Sequence, residues 1–172
     1  MEINYQYIDI PNYNKIKNEI YDKINVLYPN VTSLFEWQPT NSLVPTEVNE
    51  LIENFGAQIR GCCVNCTTNS RSPIHVDTGK YHYSLNLPIA NCEKTFIKFY
   101  HTQREPQLIK TTNVQYWGFN DEDVDVLENI ETNKPLIVNT KVAHSFESFQ
   151  IKPRIMLLIR FEPGWNLENI CY

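Results

Sequence analysis

Two residues able to bind a metal ion lie two positions apart in a segment with the character of a β-strand. The segment is SPIHVDTGKYHYSLNLPI, residues 72–89, and it contains His75 and Asp77. Side chains at positions i and i+2 of a strand point to the same side, with Cα atoms roughly 6.5–7 Å apart. An imidazole nitrogen and a carboxylate oxygen can therefore converge on one ion. These are two of the donors of a two-histidine, one-carboxylate triad, which leaves coordination positions open.

The third ligand of such a triad must be a histidine from a distant strand. His82 lies too close to His75 along the chain to belong to an opposing strand, and His101 stands beside the polar segment TQREP, where we expect it to be exposed. His144, in KVAHSFESF, falls in a late strand between apolar or aromatic neighbours. We therefore predict a metal site formed by His75, Asp77 and His144.

An arginine follows the second histidine by ten residues. Arg154 opens the apolar segment RIMLLIRF, and the planar fork of its guanidinium suits a carboxylate better than a lysine does. The intervening FQIKP is long enough for a turn, so we expect the strand that carries Arg154 to pair antiparallel with the strand that carries His144. The metal ligand and the cation would then lie at different depths of one barrel.

His75-Val-Asp77, His144 and Arg154 together resemble the His-x-Asp…His…Arg signature of the Fe(II)- and 2-oxoglutarate-dependent oxygenases. The stretch HVDTGKYHYSLNLPIANCEKTFIKFY is similar to small phage and bacterial members and, more distantly, to the aspartyl/asparaginyl β-hydroxylase branch. The resemblance covers about residues 57–162. It implies a double-stranded β-helix (jelly roll), Fe(II) bound by the triad, and 2-oxoglutarate held by Arg154. It also implies that O2 is consumed and that an unactivated C–H bond of a peptidyl side chain, amino acid or small metabolite is hydroxylated.

The chain departs from this family pattern at two points. Many members carry a serine or threonine two residues after the arginine, where this chain has Met156. In YSLNLPI, apolar residues alternate with Ser84 and Asn86, so we predict that these two polar side chains face the interior and contact the cosubstrate. The β-hydroxylase branch lacks the carboxylate ligand, whereas Asp77 is present here, which favours a full triad.

The order of helical and strand-like segments predicts the frame that would hold this site. In residues 1–56 a stripe of Ile16, Ile20, Ile24 and Leu27 indicates one amphipathic helix, and PTEVNELIENFG indicates a second. Residues 57–162 contain about eight short β-branched or aromatic segments, which predict a mainly β jelly roll with the N-terminal helices packed on one face. Residues 163–172 form a tail. The segment DEDVDVLENIETN, from residue 121, is compatible with a short helix or an acidic loop.

The composition limits the class of protein. A chain of 172 residues with 42% hydrophobic residues is long enough for one domain with a buried core, and it contains no apolar run able to cross a membrane. The net charge of −5 without a basic cluster makes nucleic acid an improbable partner. The N-terminus has no secretory pattern, so we expect a cytoplasmic protein.

The cysteines and aromatic residues lead to two further expectations. The chain has five cysteines, and GCCVNC contains a Cys-x-x-Cys pair, but a zinc site needs two more ligands at motif spacing. We therefore expect reduced thiols buried in strands. We also expect an apolar wall around the metal, formed by Phe96, Phe99, Tyr116, Trp117 and Phe146.

Two other functions fit the same residues. A cupin-like metal enzyme would use the triad without 2-oxoglutarate and would not need Arg154. A non-catalytic jelly-roll binding module would contain the triad by accident and would bind no metal.

Overall fold

The computed structural model describes residues 3–38, 42–78, 80, 82–111 and 115–170. Helix α1 spans Tyr13–Leu27 and helix α2 spans Thr46–Asn54. The strands are β1 Tyr5–Tyr7, β2 Leu34–Gln38, β3 Ile59–Thr67, β4 Ser70–Arg71, β5 His75–Asp77, β6 Tyr83–Ala90, β7 Thr95–Thr102, β8 Gln107–Lys110, β9 Gln115–Gly118, β10 Val124–Glu131, β11 Leu136–Asn139, β12 His144–Ser148 and β13 Arg154–Phe161. Short 3-10 turns cover Asp121–Asp123 and Leu167–Asn169.

The strands form two antiparallel sheets. The first sheet has the order β1-β11-β6-β13-β3-β2, and the second has the order β10-β7-β12-β5-β9-β8, with β4 paired to β12. A small apolar cluster lies between the sheets and takes side chains from both, including Phe99 of the second and Leu136 and Val138 of the first. Two sheets that share an interior in this way are the predicted jelly roll, so the expected fold class is confirmed.

The two N-terminal helices cover the outer face of the first sheet. Ile16, Ile20 and Ile24 are buried against Leu85 and Leu87 of β6 in the largest apolar cluster of the described chain. Leu27, which the sequence pattern placed on the same stripe, is 52% exposed at the end of α1. Helix packing on one face of the sheet is therefore confirmed, although the stripe ends at Ile24.

The end of α2 is set by a glycine. The amide of Gly56 donates to the carbonyl of Glu53, and the amide of Ala57 donates back to Ile52. Gly56 has φ of 70°, in the left-handed region where a side chain is unfavourable, so glycine ends the helix at low cost. The chain then enters β3. Within the described residues, no helix is both long and apolar enough to cross a lipid bilayer.

The acidic segment from residue 121 begins with a short 3-10 helix, but most of it is a strand that the sequence did not predict. Asp121–Asp123 form one 3-10 turn, and the chain then continues as the eight-residue strand β10, paired to β7. The strand was missed because its charged and apolar residues do not alternate regularly. A register shift between Val126 and Glu128 interrupts the alternation.

Candidate metal centre

The three predicted ligands meet at one end of the space between the sheets. β5 supplies His75 and Asp77, and β12, beside it in the second sheet, supplies His144, which is the register partner of His75. One donor atom from each of the three residues lies within 4.8 Å of the others. The two imidazole rings have centroids 4.5 Å apart, and Nε2 of His75 lies 3.6 Å from Oδ1 of Asp77.

Hydrogen bonds to the backbone decide which ring nitrogen of each histidine is available. Nδ1 of His75 lies 2.8 Å from the carbonyl oxygen of Pro73, and Nδ1 of His144 lies 2.8 Å from that of Val142. Because a carbonyl only accepts, each Nδ1 carries a proton and donates it, so Nε2 is the nitrogen that can bind a metal. This is the usual arrangement of a metal-binding histidine, oriented by the hydrogen bond of its other nitrogen.

The ionisation states also favour a cation at this point. Burial, followed by the proximity of His75, lowers the pKa of His144 to about 4, so this imidazole is neutral at neutral pH. Burial alone would raise the pKa of Asp77, but Arg160, His144 and His75 together outweigh burial and hold that pKa below its usual value. Two imidazole nitrogens and one carboxylate are the donor set of a facial triad, so the residues present fit an Fe(II) ion.

The second oxygen of Asp77 and its backbone have partners of their own. Oδ2 of Asp77 is in contact with Nη2 of Arg160, which reaches it from β13 in the opposite sheet. The Asp77 amide donates to the carbonyl of Thr140 at 3.0 Å, and Nζ of Lys141 donates to the Asp77 carbonyl at 2.9 Å. Asp77 is therefore fixed at both its main chain and its carboxylate.

Arg154 lies deeper in the same interior, about six residues or roughly 20 Å of strand from Arg160 on β13. Its guanidinium stacks over the ring of Phe146, 4.0 Å from the ring centroid, and Nη1 donates to Oδ1 of Asn65 at 2.9 Å. Nη2 contacts the sulfur of Met156, and Nε, which is buried, has no hydrogen-bond acceptor. Among the described residues no carboxylate pairs with Arg154.

The expected pairing between the strands of Arg154 and His144 is wrong. β13 pairs with β3 and β6 in the first sheet, whereas β12 belongs to the second. The segment between them crosses from one sheet to the other and does not form a hairpin. As a result, Arg154 faces Phe146 across the interior, and the two strands contribute to opposite walls of the same space.

Ser84 and Asn86 face the interior between the metal end and Arg154. Their strand neighbours Leu85 and Leu87 pack against the helices, as the alternation in YSLNLPI predicted. Ser84 is the register partner of Arg160, and its hydroxyl donates to Oδ1 of Asn86 at 2.9 Å. Both side chains are buried. Their contact with a cosubstrate stays a prediction.

The predicted aromatic wall is only partly correct. Phe99, Phe146 and Tyr116 lie on the interior face, and the Tyr116 ring centroid is 5.5 Å from that of His75. Phe96 and Trp117 lie on the outer face, where Phe96 packs on the ring of Phe149 and Trp117 is 39% exposed. The error follows from strand geometry, because adjacent residues such as 116 and 117 point to opposite sides of a sheet.

The cysteines do not form a metal site within the described chain. Four cysteines are buried and free, whereas Cys171 lies outside the described residues. Cys62 and Cys66 pack on the helix side of β3, so Cys63, between them in the alternation, points into the interior. The Cys-x-x-Cys pair 63 and 66 therefore faces opposite ways. Burial raises the pKa of Cys62 to about 11 and that of Cys63 to about 12, and the expectation of buried thiols is confirmed for these four residues.

Two residues near the site were not singled out from the sequence. Arg160 is six positions after Arg154, an even separation that puts both on one face of a strand, so the pattern did contain a signal for it. Thr67 is the register partner of Arg154 on β3, and its buried hydroxyl has no hydrogen-bond partner. No sequence signal identifies Thr67, because the register between β3 and β13 brings it there.

Comparison with solved structures supports the fold. The crystal structure of AviO1 from Streptomyces viridochromogenes Tue57 matches with a TM-score of 0.55 at 9% identity, over 96% of this chain and 92% of that one. A prolyl hydroxylase from Trichoplax adhaerens, in complex with a hypoxia inducible factor peptide fragment, matches with 0.56 at 11% identity, over 93% and 84%. The non-heme alpha ketoglutarate dependent epimerase SnoN matches with 0.55 at 9% identity, over 94% and 78%.

SnoN has also been solved in complex with Fe3+, alpha ketoglutarate and nogalamycin RO. No protein-family model matches the chain. No curated protein matches it in sequence either. The chain thus shares the fold of AviO1, this prolyl hydroxylase and SnoN, at identities of about one residue in ten.

Proposed function

We propose that this chain is an Fe(II)- and 2-oxoglutarate-dependent dioxygenase. The observation that carries the proposal is that the same interior contains both a cluster of metal-binding residues and a buried arginine. A His-Asp-His cluster with both Nε2 atoms available lies at one end, and Arg154, buried without a carboxylate partner among the described residues, lies deeper. A metal site alone would not require a buried cation. A cation that lacks a carboxylate indicates an acidic ligand.

The iron would be held by Nε2 of His75, Nε2 of His144 and a carboxylate oxygen of Asp77. When bound, iron and 2-oxoglutarate supply oxidative chemistry that no protein side chain can provide. The protein orients its donors through the backbone bonds from Nδ1 to Pro73 and Val142. The main-chain bonds of Asp77 keep the third donor in place.

The far carboxylate of 2-oxoglutarate would bind at Arg154. Nε of Arg154 and the hydroxyl of Thr67 both lack a hydrogen-bond partner. They lie on the same interior face, and both are buried. A carboxylate can accept from both, so Thr67 would supply the hydroxyl that Met156 does not. Asn86 and Ser84, between Arg154 and the metal end, would contact the middle of the cosubstrate.

The apolar residues of the interior would keep water from the reaction. Phe99 is fully buried, and its ring centroid is 6.4 Å from that of His144, while Phe146 covers the guanidinium of Arg154. A dry pocket strengthens the charge interactions that hold the cosubstrate, and it protects the reactive centre from side reactions.

The primary substrate would enter beside Tyr116. This side chain lies on the interior face next to His75, and Ile109 of the edge strand β8 is its register partner. We propose hydroxylation of an unactivated C–H bond in a peptidyl side chain or a small metabolite. The prolyl hydroxylase neighbour is described with a peptide and SnoN with nogalamycin RO, so this fold accommodates both kinds of ligand.

An anaerobic titration tests the proposal directly. Fe(II) and then 2-oxoglutarate are added to the purified protein, and the visible metal-to-ligand charge-transfer band is recorded. We expect the band with the wild type and none with His75→Ala or His144→Ala, because each variant removes a donor. Thr67→Val keeps shape but removes the hydroxyl, so it should weaken 2-oxoglutarate binding by roughly tenfold. The metal affinity of this variant should not change.

The outcomes separate the proposal from its alternatives. Metal binding without a 2-oxoglutarate band would favour the cupin-like enzyme, and no metal binding would favour the binding module. Lys98→Gln is a suitable control, because it breaks a partly buried ion pair with Glu147, 2.7 Å long, that includes no metal ligand.

A cytoplasmic location is part of the proposal and is supported by the four buried free thiols, since reducing compartments keep cysteines unpaired.

A further inference from the structure

The two carboxylate oxygens of Asp77 have different partners. Oδ1 lies on the side of the histidines, 3.6 Å from Nε2 of His75, while Oδ2 is in contact with Nη2 of Arg160. The side chains of Asp77 and Arg160 are 16% and 15% exposed, so the ion pair is largely screened from solvent. One oxygen is thus directed toward the triad and the other is engaged by a cation.

The position of Arg160 makes this arrangement rigid. Arg160 is on β13, which is flanked on both sides by β3 and β6 in the first sheet, whereas Asp77 belongs to the second sheet. The guanidinium therefore spans the interior. The backbone of Asp77 is held by Thr140 and Lys141, and the carboxylate cannot rotate away without breaking its ion pair with Arg160.

The number of oxygens that Asp77 gives to a metal matters for the reaction. A facial triad with one carboxylate oxygen leaves one face of the metal open. A chelating 2-oxo acid takes two of the positions on that face, and one is left for O2. If both oxygens of Asp77 bound the metal, this last position would be lost.

We infer that Arg160 is a positioning residue that restricts Asp77 to a single metal–oxygen bond and thereby keeps one coordination position open for O2. The inference rests on the proposed function. It assigns to Arg160 a task distinct from that of Arg154, since Arg160 acts on a protein ligand and Arg154 on the cosubstrate. An ion pair that served only the fold would leave the coordination of the metal unchanged when it was removed.

Nitric oxide, a stable substitute for O2, measures the open position without any turnover. The wild type, Arg160→Gln and Arg160→Lys are loaded anaerobically with Fe(II) and 2-oxoglutarate and titrated with nitric oxide. The iron–nitrosyl signal is followed by electron paramagnetic resonance. Arg160→Gln removes the cation, while Arg160→Lys keeps the charge but not the fork. Lys98→Gln serves as the matched control for a broken ion pair.

We expect Arg160→Gln to bind Fe(II) and 2-oxoglutarate but to bind nitric oxide at least tenfold more weakly than the wild type. Arg160→Lys should be intermediate, and Lys98→Gln should match the wild type. Unchanged nitric oxide affinity in Arg160→Gln would overturn the inference. Loss of Fe(II) binding in both Arg160 variants would also overturn it, because Arg160 would then contribute to metal affinity. A wild type that binds no Fe(II) or no 2-oxoglutarate would refute the proposed function itself.

Discussion

Replacement of Arg154 by methionine should affect stability and cosubstrate binding to very different extents. Burial lowers the pKa of Arg154 from 12.5 to about 10, a cost to the charged side chain of about 3 kcal/mol at roughly 1.36 kcal/mol per pKa unit. Arg154→Met removes this cost. It also removes the stacking on Phe146, worth about 2 kcal/mol, and leaves Oδ1 of Asn65 without a donor, which costs about 1–3 kcal/mol.

These contributions nearly cancel in the metal-free protein. We expect the free energy of unfolding of Arg154→Met to lie within about 2 kcal/mol of the wild-type value. Loss of one member of a buried ion pair would cost more, about 3–5 kcal/mol. The affinity for 2-oxoglutarate should instead fall by about 2–5 kcal/mol, which is more than about 30-fold, because the cosubstrate carboxylate would lose its charged partner.

Two assays on the same protein preparations test this prediction. Urea unfolding of the metal-free protein gives the stability, and titration of the anaerobic Fe(II) form with 2-oxoglutarate gives the affinity. Arg60→Met is a matched control, because Arg60 is an exposed arginine paired with Glu162 at 3.5 Å, and it should change neither quantity appreciably. A loss of more than about 4 kcal/mol in stability with unchanged affinity would refute the reasoning. Arg154 would then be a structural arginine.

Three further predictions concern the pH dependence of stability, the space around His75 and the thiols. In EDTA, the free energy of unfolding should fall by up to about 3 kcal/mol as the pH drops from 6.5 to 4, because His144 readily takes up a proton in this range only when unfolded, with its ordinary pKa of 6.5. Urea unfolding of His144→Gln should show a smaller dependence of this free energy on pH. An equal dependence would assign the effect to other groups. Gly118→Ala would place a Cβ 3.0 Å from Ile109 and 3.2 Å from Tyr116. The rate of turnover should change, while the affinities for Fe(II) and 2-oxoglutarate stay within about twofold of the wild-type values. Loss of Fe(II) binding in this variant would contradict the prediction. The number of thiols that react with a disulfide reagent should rise by at least four on unfolding. Rapid reaction of these four thiols in the native state would contradict their burial: Cys62, Cys63, Cys66 and Cys92.

The parts of the site that depend on short-range geometry were predictable. Alternation in a strand is local, so the common direction of His75 and Asp77 and the interior face of Ser84 and Asn86 follow from their spacing. The buried helix stripe follows in the same way from helical periodicity. His144 was identified because few histidines compete for the third position, which is a matter of composition.

The parts that depend on how distant strands meet were not predictable. A five-residue connection is compatible with a hairpin or with a crossing between sheets, and spacing alone does not distinguish them, so β13 was assigned to the wrong neighbour. Thr67 comes opposite Arg154 through the register of β3 against β13. The pairing of Arg160 with Asp77 needs the distance between the two sheets, which no pattern in the chain contains.

The connection between β5 and the rest of its sheet has a consequence for metal uptake. β5 is three residues long, and its ladder with β12 has a single register pair, the two histidines His75 and His144. The strands β5, β9 and β8 thus join the rest of the second sheet at the metal centre. An ion bound to both histidines would act as a cross-link across this seam.

Apparent metal affinity is then the intrinsic affinity multiplied by the fraction of molecules in which β5 and β12 are paired. By the same linkage, the metal stabilises the paired state, so amide hydrogen exchange in β5, β8 and β9 should slow on metal binding. The core strands β3, β6 and β13 would exchange through global opening and would respond to the metal only as far as it raises overall stability. Metal binding and the pairing of β5 with β12 are therefore coupled equilibria.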